Sequence, residues 1–214
     1  MKLKPYCIVL IISIFIVISV SLFFIINLPV KLQGNNYSWD DIFNKKAPFA
    51  KGWKFIVLHH SATSAGNAKS FHNYHKEMGF GGLAYHFVIG NGRGSADGKI
   101  EKGFRWKKQI SGTHVTVDSW YHNVFGIGIC LVGNFEITKP TQKQLVSLIS
   151  LLKKLVKKNK IPRKNILGHN QVQFSEMDWT SNRIIVNFIK GKYQKKACPG
   201  KKFPITQILN EVYR

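Results

Sequence analysis

The sequence predicts an α/β domain with a central mixed β-sheet flanked by helices, preceded by one N-terminal transmembrane helix. Three observations carry that prediction. Short runs rich in β-branched and aromatic residues recur along the chain. Between them lie segments whose apolar residues keep helical spacing. Strands alternating with helices assemble into one sheet with helices on its faces. The third observation is Ile8 to Leu28, an apolar stretch without a single charge. At ~1.5 Å per residue it is long enough to cross a hydrocarbon core of ~30 Å.

The elements follow in order. A cleavable signal has a shorter apolar region, roughly 7–15 residues, and small residues before the cut. Here "NLPVKLQG" follows, so residues 1–28 read as an uncleaved anchor, with a cleaved signal as the alternative. Lys2 and Lys4 on one side nearly balance Lys31, Lys45 and Lys46 on the other, so charge does not orient the helix. Residues 29–52 form a polar connector without periodicity. From Trp53 onward the pattern turns globular, giving a domain over 53–214.

"WKFIVLH" reads as a buried strand ending at His59. "NAKSFHNYHKEMG" reads as a helix with Phe71, Tyr74, His75 and Met78 on its apolar face, stopped by Gly79. "AYHFVIG" is a second strand, and an Asp-Gly turn in "SADGKIEKG" leads into a short third one. "GIGICLVGN" is another buried strand. Thr141 and Gln144 after Pro140 form a capping box for a helix whose stripe is Leu145, Leu148, Ile149, Leu152 and Val156. The lysines crowding its last turns suit the helix dipole and a solvated face. "NILGHN" is a strand ending at His169, and Ile205, Ile208, Leu209 and Val212 keep helical spacing near the end.

The 214 residues carry a formal charge of +22. Such a surface attracts polyanions, whether nucleic acid, anionic lipid or acidic wall polymers. No nucleic-acid motif accompanies the charge, so no nucleic-acid partner is expected. Three cysteines without regular spacing do not make a disulfide framework. Cys130 lies in an apolar strand and reads as core, Cys7 receives no role, and Cys198 sits in a polar loop before a proline.

In open α/β sheets, sites gather at the carboxyl ends of strands. His59 and His169 both end strands, and Cys198 lies in the later loop "KKACPGKKF". Two histidines and a cysteine make a catalytic zinc set that leaves a fourth position for water. A histidine at a strand end is more often a hydrogen-bonded structural residue, so the residues alone carry the metal reading only weakly.

In this order, "IVLHHSAT", "AYHFVIGNG", "SGTH", "GIGICLVGNFE", "TQKQLVSLISLL", "GHNQV" and "ACPGKKF" resemble the zinc-dependent N-acetylmuramoyl-L-alanine amidases. That family includes the phage-lysozyme-type amidases and the peptidoglycan recognition proteins, and the similarity runs over about residues 53–212. The resemblance implies Zn2+ held by His59, His169 and Cys198. It implies Tyr85 and Lys196 as catalytic residues and His114 and Asn123 as substrate-binding residues. It implies cleavage of the amide between N-acetylmuramic acid and L-alanine in peptidoglycan, with a non-catalytic muropeptide-binding module as the alternative. A monomer is expected, with peptidoglycan or muropeptides as partner and the membrane engaged through the N-terminal helix. A wall substrate places the domain outside the cytoplasm, in the periplasm or on the outer face of the cell membrane.

Cys198 follows His169 by 29 positions, a longer loop than typical members have. The insertion at about 172–194 is partly apolar and is expected as a hairpin, a helix, a lid or a membrane-facing patch. Of the remaining histidines, His60 and His86 point away from His59 and Tyr85 and are expected to be packed. His75 is expected to be structural, and His72 and His122 exposed or loop-borne.

Overall fold

A computed structural model describes residues 30–32, 35–37, 52–116, 119–178, 185–193 and 196–214. The expected anchor lies outside the described residues. Among those described, no helix is long and apolar enough to cross a membrane. Ahead of the domain, β1 (Val30–Leu32) pairs antiparallel with β2 (Asn35–Tyr37). The domain then runs β3 (Phe55–His60), α1 (Ala68–Glu77), β4 (Phe87–Ile89), β5 (Ile100–Lys102), α2 (Phe104–Lys108), α3 (Trp120–Phe125) and β6 (Gly126–Leu131). It continues with α4 (Gln142–Asn159), β7 (Ile166–Gly168), β8 (Gln173–Asp178), β9 (Ile185–Tyr193) and α5 (Ile205–Val212).

The central sheet is mixed, in the order β5-β4-β6-β3-β7, with only β5 antiparallel to its neighbour. Strand alternation divides its residues between two faces. Ile56, Leu58, Phe87, Ile89, Ile127, Ile129, Leu131 and Ile166 point to one face and form the main core with Leu148, Leu152 and Ile208 of α4 and α5. The other face carries Phe55, Val57 and His59. Their register partners on β6 are Gly126, Gly128 and Cys130. His59 is therefore built on the face opposite the large apolar core.

α4 starts with the predicted capping box. Thr141 Oγ1 accepts from the Gln144 N–H at 3.0 Å, and Gln144 Oε1 accepts from the Thr141 N–H at 3.1 Å. The buried Gln144 amide also donates to the carbonyls of Ile89 and Val132, which ties the helix to the ends of β4 and β6. The stripe is wider than its expected five residues, since Leu151 and Leu155 are also buried.

The predicted apolar face of α1 is not buried. Tyr74 is 58% exposed and Met78 51%. Of the apolar residues of α1, Ala68 and Phe71 pack against a small neighbouring cluster, and the His72 and His75 rings meet Phe104 and Tyr85. The helix is also held in position by polar contacts: the Ala68 N–H on Glu101 Oε2 at 2.8 Å, and the Leu83 and Ala84 N–H groups on the Nδ1 atoms of His72 and His75. His122 is not exposed; it is buried in α3, its ring 4.6 Å from that of Phe55. The short helices α2 and α3 have no counterpart in the sequence pattern. The insertion contains the antiparallel hairpin β8–β9.

His86 is fully buried, accepting the Gly128 N–H at Nδ1 and donating from Nε2 to the Ile110 carbonyl. Burial holds its pKa down from 6.5 to about 3. Between those values the unfolded chain binds a proton that the folded chain does not, so stability is lost as pH falls. His86→Gln should therefore lose less stability than the wild type between pH 7 and pH 5, by ~2 kcal/mol, measured by urea unfolding at the two pH values.

Candidate metal centre

His59 is the fifth residue of β3, and the sheet fixes where its ring stands. His169 follows β7 in a single 3-10 turn, His169–Gln171. Gln171 Oε1 closes that turn by accepting the Gly168 N–H at 2.8 Å. The Asn170 N–H donates to the Cys198 carbonyl at 2.9 Å. One backbone bond thus joins the loop of the second histidine to the segment of the cysteine, across the whole inserted hairpin. Gly168 permits that approach, since a Cβ there would lie 2.8 Å from Pro199 Cδ. The segment is sutured further where Phe135 accepts from the Lys202 N–H at 2.9 Å and Glu136 from the Lys201 N–H at 2.7 Å.

These constraints bring one ligand atom each of His59, His169 and Cys198 within 4.8 Å of one another. His59 Nδ1 lies 3.1 Å from His169 Nδ1 and 3.6 Å from Cys198 Sγ. The edges of a tetrahedral N/S zinc site, with bonds of ~2.0–2.1 and ~2.3 Å, span ~3.3–3.6 Å. The donor set suits a zinc ion; the two separations from His59 Nδ1 lie near those edges, and the widest in the set is 4.8 Å. His59 is buried while His169 and Cys198 are half-exposed, so the site has a closed floor and an open mouth.

Without a metal, burial keeps these side chains neutral, as imidazole and thiol; a bound cation would displace the thiol proton and take the cysteine as thiolate. Burial pushes the His59 pKa well down, helped by His169 and His114. Burial pushes the Cys198 thiol up to about 12, while the His60 N–H, 3.3 Å from its sulfur, and the Lys196 ammonium act in the opposite direction. His60 itself faces the core side and accepts the Phe135 N–H at Nδ1. The packed role expected for it is the one its contacts show.

Tyr85 stands beside His59 with ring centroids 5.1 Å apart. Its hydroxyl is hydrogen-bonded to the Cys130 thiol, and burial, followed by the charges of Cys130 and Cys198, raises its pKa well above the usual value. It is a neutral phenol at any ordinary pH. Cys130 is buried as expected, but on the His59 side of the sheet. Lys196 is exposed, two positions from the ligand cysteine.

His114 and Asn123, read from the resemblance as substrate-binding, have different surroundings. His114 is 5% exposed and lies behind His59, with Nδ1 3.1 Å from His59 Nε2. Asn123 Oδ1 accepts the N–H groups of His114 and Val115, and its Nδ2 donates to the Val115 carbonyl. Its amide clamps the loop that carries His114. A further organiser, Arg105, drew no attention in the sequence. Its buried guanidinium donates to the carbonyls of Leu83, Ser111 and Phe80, each at 2.7 Å, and to Thr113 Oγ1. It joins the loops leading to Tyr85 and His114. Nothing in a lone Arg within "FRWKK" signals that role. A cleft of about 650 Å³ opens next to the second histidine, lined by Phe55, Leu167, Asn170 and Gln171 and closed by Gln173 and Tyr193 of the hairpin.

The sequence matches the family described as N-acetylmuramoyl-L-alanine amidase over residues 49–201. The solved structure of the N-acetylmuramoyl-L-alanine amidase LysC from Clostridium intestinale URNW superposes with a TM-score of 0.57 at 26% identity, covering 86% of this chain and 97% of that one. Peptidoglycan-recognition protein SC2 of Drosophila simulans is 30% identical over 146 residues, 64% of this chain and 73% of its own length. Peptidoglycan recognition protein 1 of Mus musculus is 33% identical over 131 residues, 56% of this chain and 66% of its own length.

Because the Asn123 amide serves the chain itself, Asn123→Ala should destabilise the fold by ~1–3 kcal/mol, the cost of orphaning buried backbone groups. Chemical denaturation of the variant beside the wild type checks this.

Proposed function

The chain belongs to the N-acetylmuramoyl-L-alanine amidase family, and on that premise we propose that it hydrolyses the amide between N-acetylmuramic acid and L-alanine in peptidoglycan with zinc as cofactor. The observation that carries the proposal is the convergence of His59, His169 and Cys198 within 4.8 Å at an open-mouthed site. A recognition module has no need of three metal ligands with a free side.

An amide is a poor electrophile and water a poor nucleophile at neutral pH. His59, His169 and Cys198 would hold the zinc, which when bound would supply a water made nucleophilic near neutrality and polarise the carbonyl. The chain's own residues do the rest. Tyr85, kept protonated by burial, offers a phenol O–H to the oxyanion that develops as the carbonyl becomes tetrahedral. Lys196 offers an ammonium to the same charge from the exposed rim. The cleft bordered by Gln173 and Tyr193 offers amide and aromatic surface to an arm of the substrate beside the reacting bond. The formal charge of +22 favours approach to an anionic wall polymer. A wall substrate places the domain on the extracytoplasmic side, consistent with residues 8–28 acting as its anchor.

Two outcomes are expected from the purified protein. Mass spectrometry of cell walls digested in the presence of zinc should show free stem peptides beginning with L-alanine and glycan strands left intact. Binding to the walls without any release would favour the recognition-module reading. Tyr85→Phe should lower kcat by ~100-fold or more, the usual cost of a lost oxyanion donor, while zinc content, measured by atomic absorption, stays at the wild-type level.

A further inference from the structure

We infer that His114 is a positioning residue that fixes which nitrogen of His59 faces the metal, and that one backbone carbonyl, that of Gly126, sets the choice. The inference rests on the metal-site reading above and adds a residue behind the ligands.

The chain of deduction begins at an atom whose role is unambiguous. A carbonyl oxygen can only accept. His114 Nε2 lies 3.3 Å from the Gly126 carbonyl in a buried setting, so Nε2 carries the proton. In a neutral imidazole only one nitrogen is protonated, and His114 is buried among other histidines, with no carboxylate among its hydrogen-bond partners in the described residues. Its Nδ1 is therefore an acceptor. His59 Nε2, 3.1 Å away, must then be the donor. That leaves the lone pair of His59 on Nδ1, the atom 3.1 Å from His169 Nδ1 and 3.6 Å from Cys198 Sγ.

The fold makes room for this relay. A Cβ on Gly128 would meet His114 Cδ2 at 2.4 Å, and one on Gly112 would meet the same atom at 2.3 Å. Two glycines thus form the seat in which the ring lies, one on β6 and one on the loop. Asn123 holds the backbone N–H of His114 itself at 2.8 Å. Both ring nitrogens and the backbone are committed, so the ring has one orientation. Histidines that ligate metals generally donate their second N–H to an outer partner, and losing that partner weakens metal binding by ~10–100-fold.

Zinc affinity of the purified protein, by competition with a chromophoric chelator, separates the possibilities. His114→Leu removes the acceptor and should bind zinc about 10–100-fold more weakly than the wild type. His114→Asn places an amide oxygen where Nδ1 stood and should recover most of that loss. Equal zinc affinity in His114→Leu and the wild type would overturn the inference while leaving the metal site intact. A wild type that binds no zinc would instead overturn the metal-site reading. Long-range 15N–1H spectra of the wild type give an independent answer should His114→Leu fail to fold. A His59 ring protonated at Nε2 is expected, and one protonated at Nδ1 would refute the relay.

Discussion

The parallel register between β3 and β6 is the constraint on which the rest of the structure depends. It sets Phe55, Val57 and His59 against Gly126, Gly128 and Cys130 on one face. On the other face it sets Ile56 and Leu58 against Ile127 and Ile129 inside the main core. A slip of one residue would exchange the two faces, burying histidine in the helix-packed core and exposing isoleucine. The apolar face therefore enforces the position of the polar one. The glycines of "GIGIC" are the complement of its isoleucines: where the strand needs bulk on one side, it needs absence on the other, so that the His114 ring can lie beneath His59.

The site is then assembled by backbone contacts more than by side chains. His59 is placed by the sheet. His169 and Cys198 come from loops, and their mutual placement depends on the Asn170 N–H to Cys198 carbonyl bond and on the sutures to Phe135 and Glu136. The hairpin between them is long, but both of its ends are pinned near the metal site, so its length does not separate the ligands. Its ends also carry Gln173 and Tyr193 to the neighbouring cleft.

The strands and long helices were legible because their signals are local. "FIVLHH", the Thr141–Gln144 capping box and the closing Ile205–Val212 stripe each report on residues a few positions apart. The stripe on α1 misled because periodicity records which residues share a face and not what covers that face; His72, His75 and Glu101 hold the helix where apolar packing would have been expected. The convergence of His59, His169 and Cys198 was legible through motif order. The surroundings of His114 and Asn123 were not, because burial behind a ligand and a clamp on a distant backbone are long-range facts. Arg105 was hidden for the same reason: its partners are carbonyls, which leave no trace in side-chain identity.

The central claim is that the fold gathers two imidazoles and one thiolate around a single ion. X-ray absorption at the zinc edge of the purified, zinc-loaded protein tests it most directly. The account predicts one sulfur at ~2.3 Å and two imidazole nitrogens at ~2.0–2.1 Å, completed by a light-atom ligand. A first shell without sulfur, or a protein that retains no zinc, would contradict it.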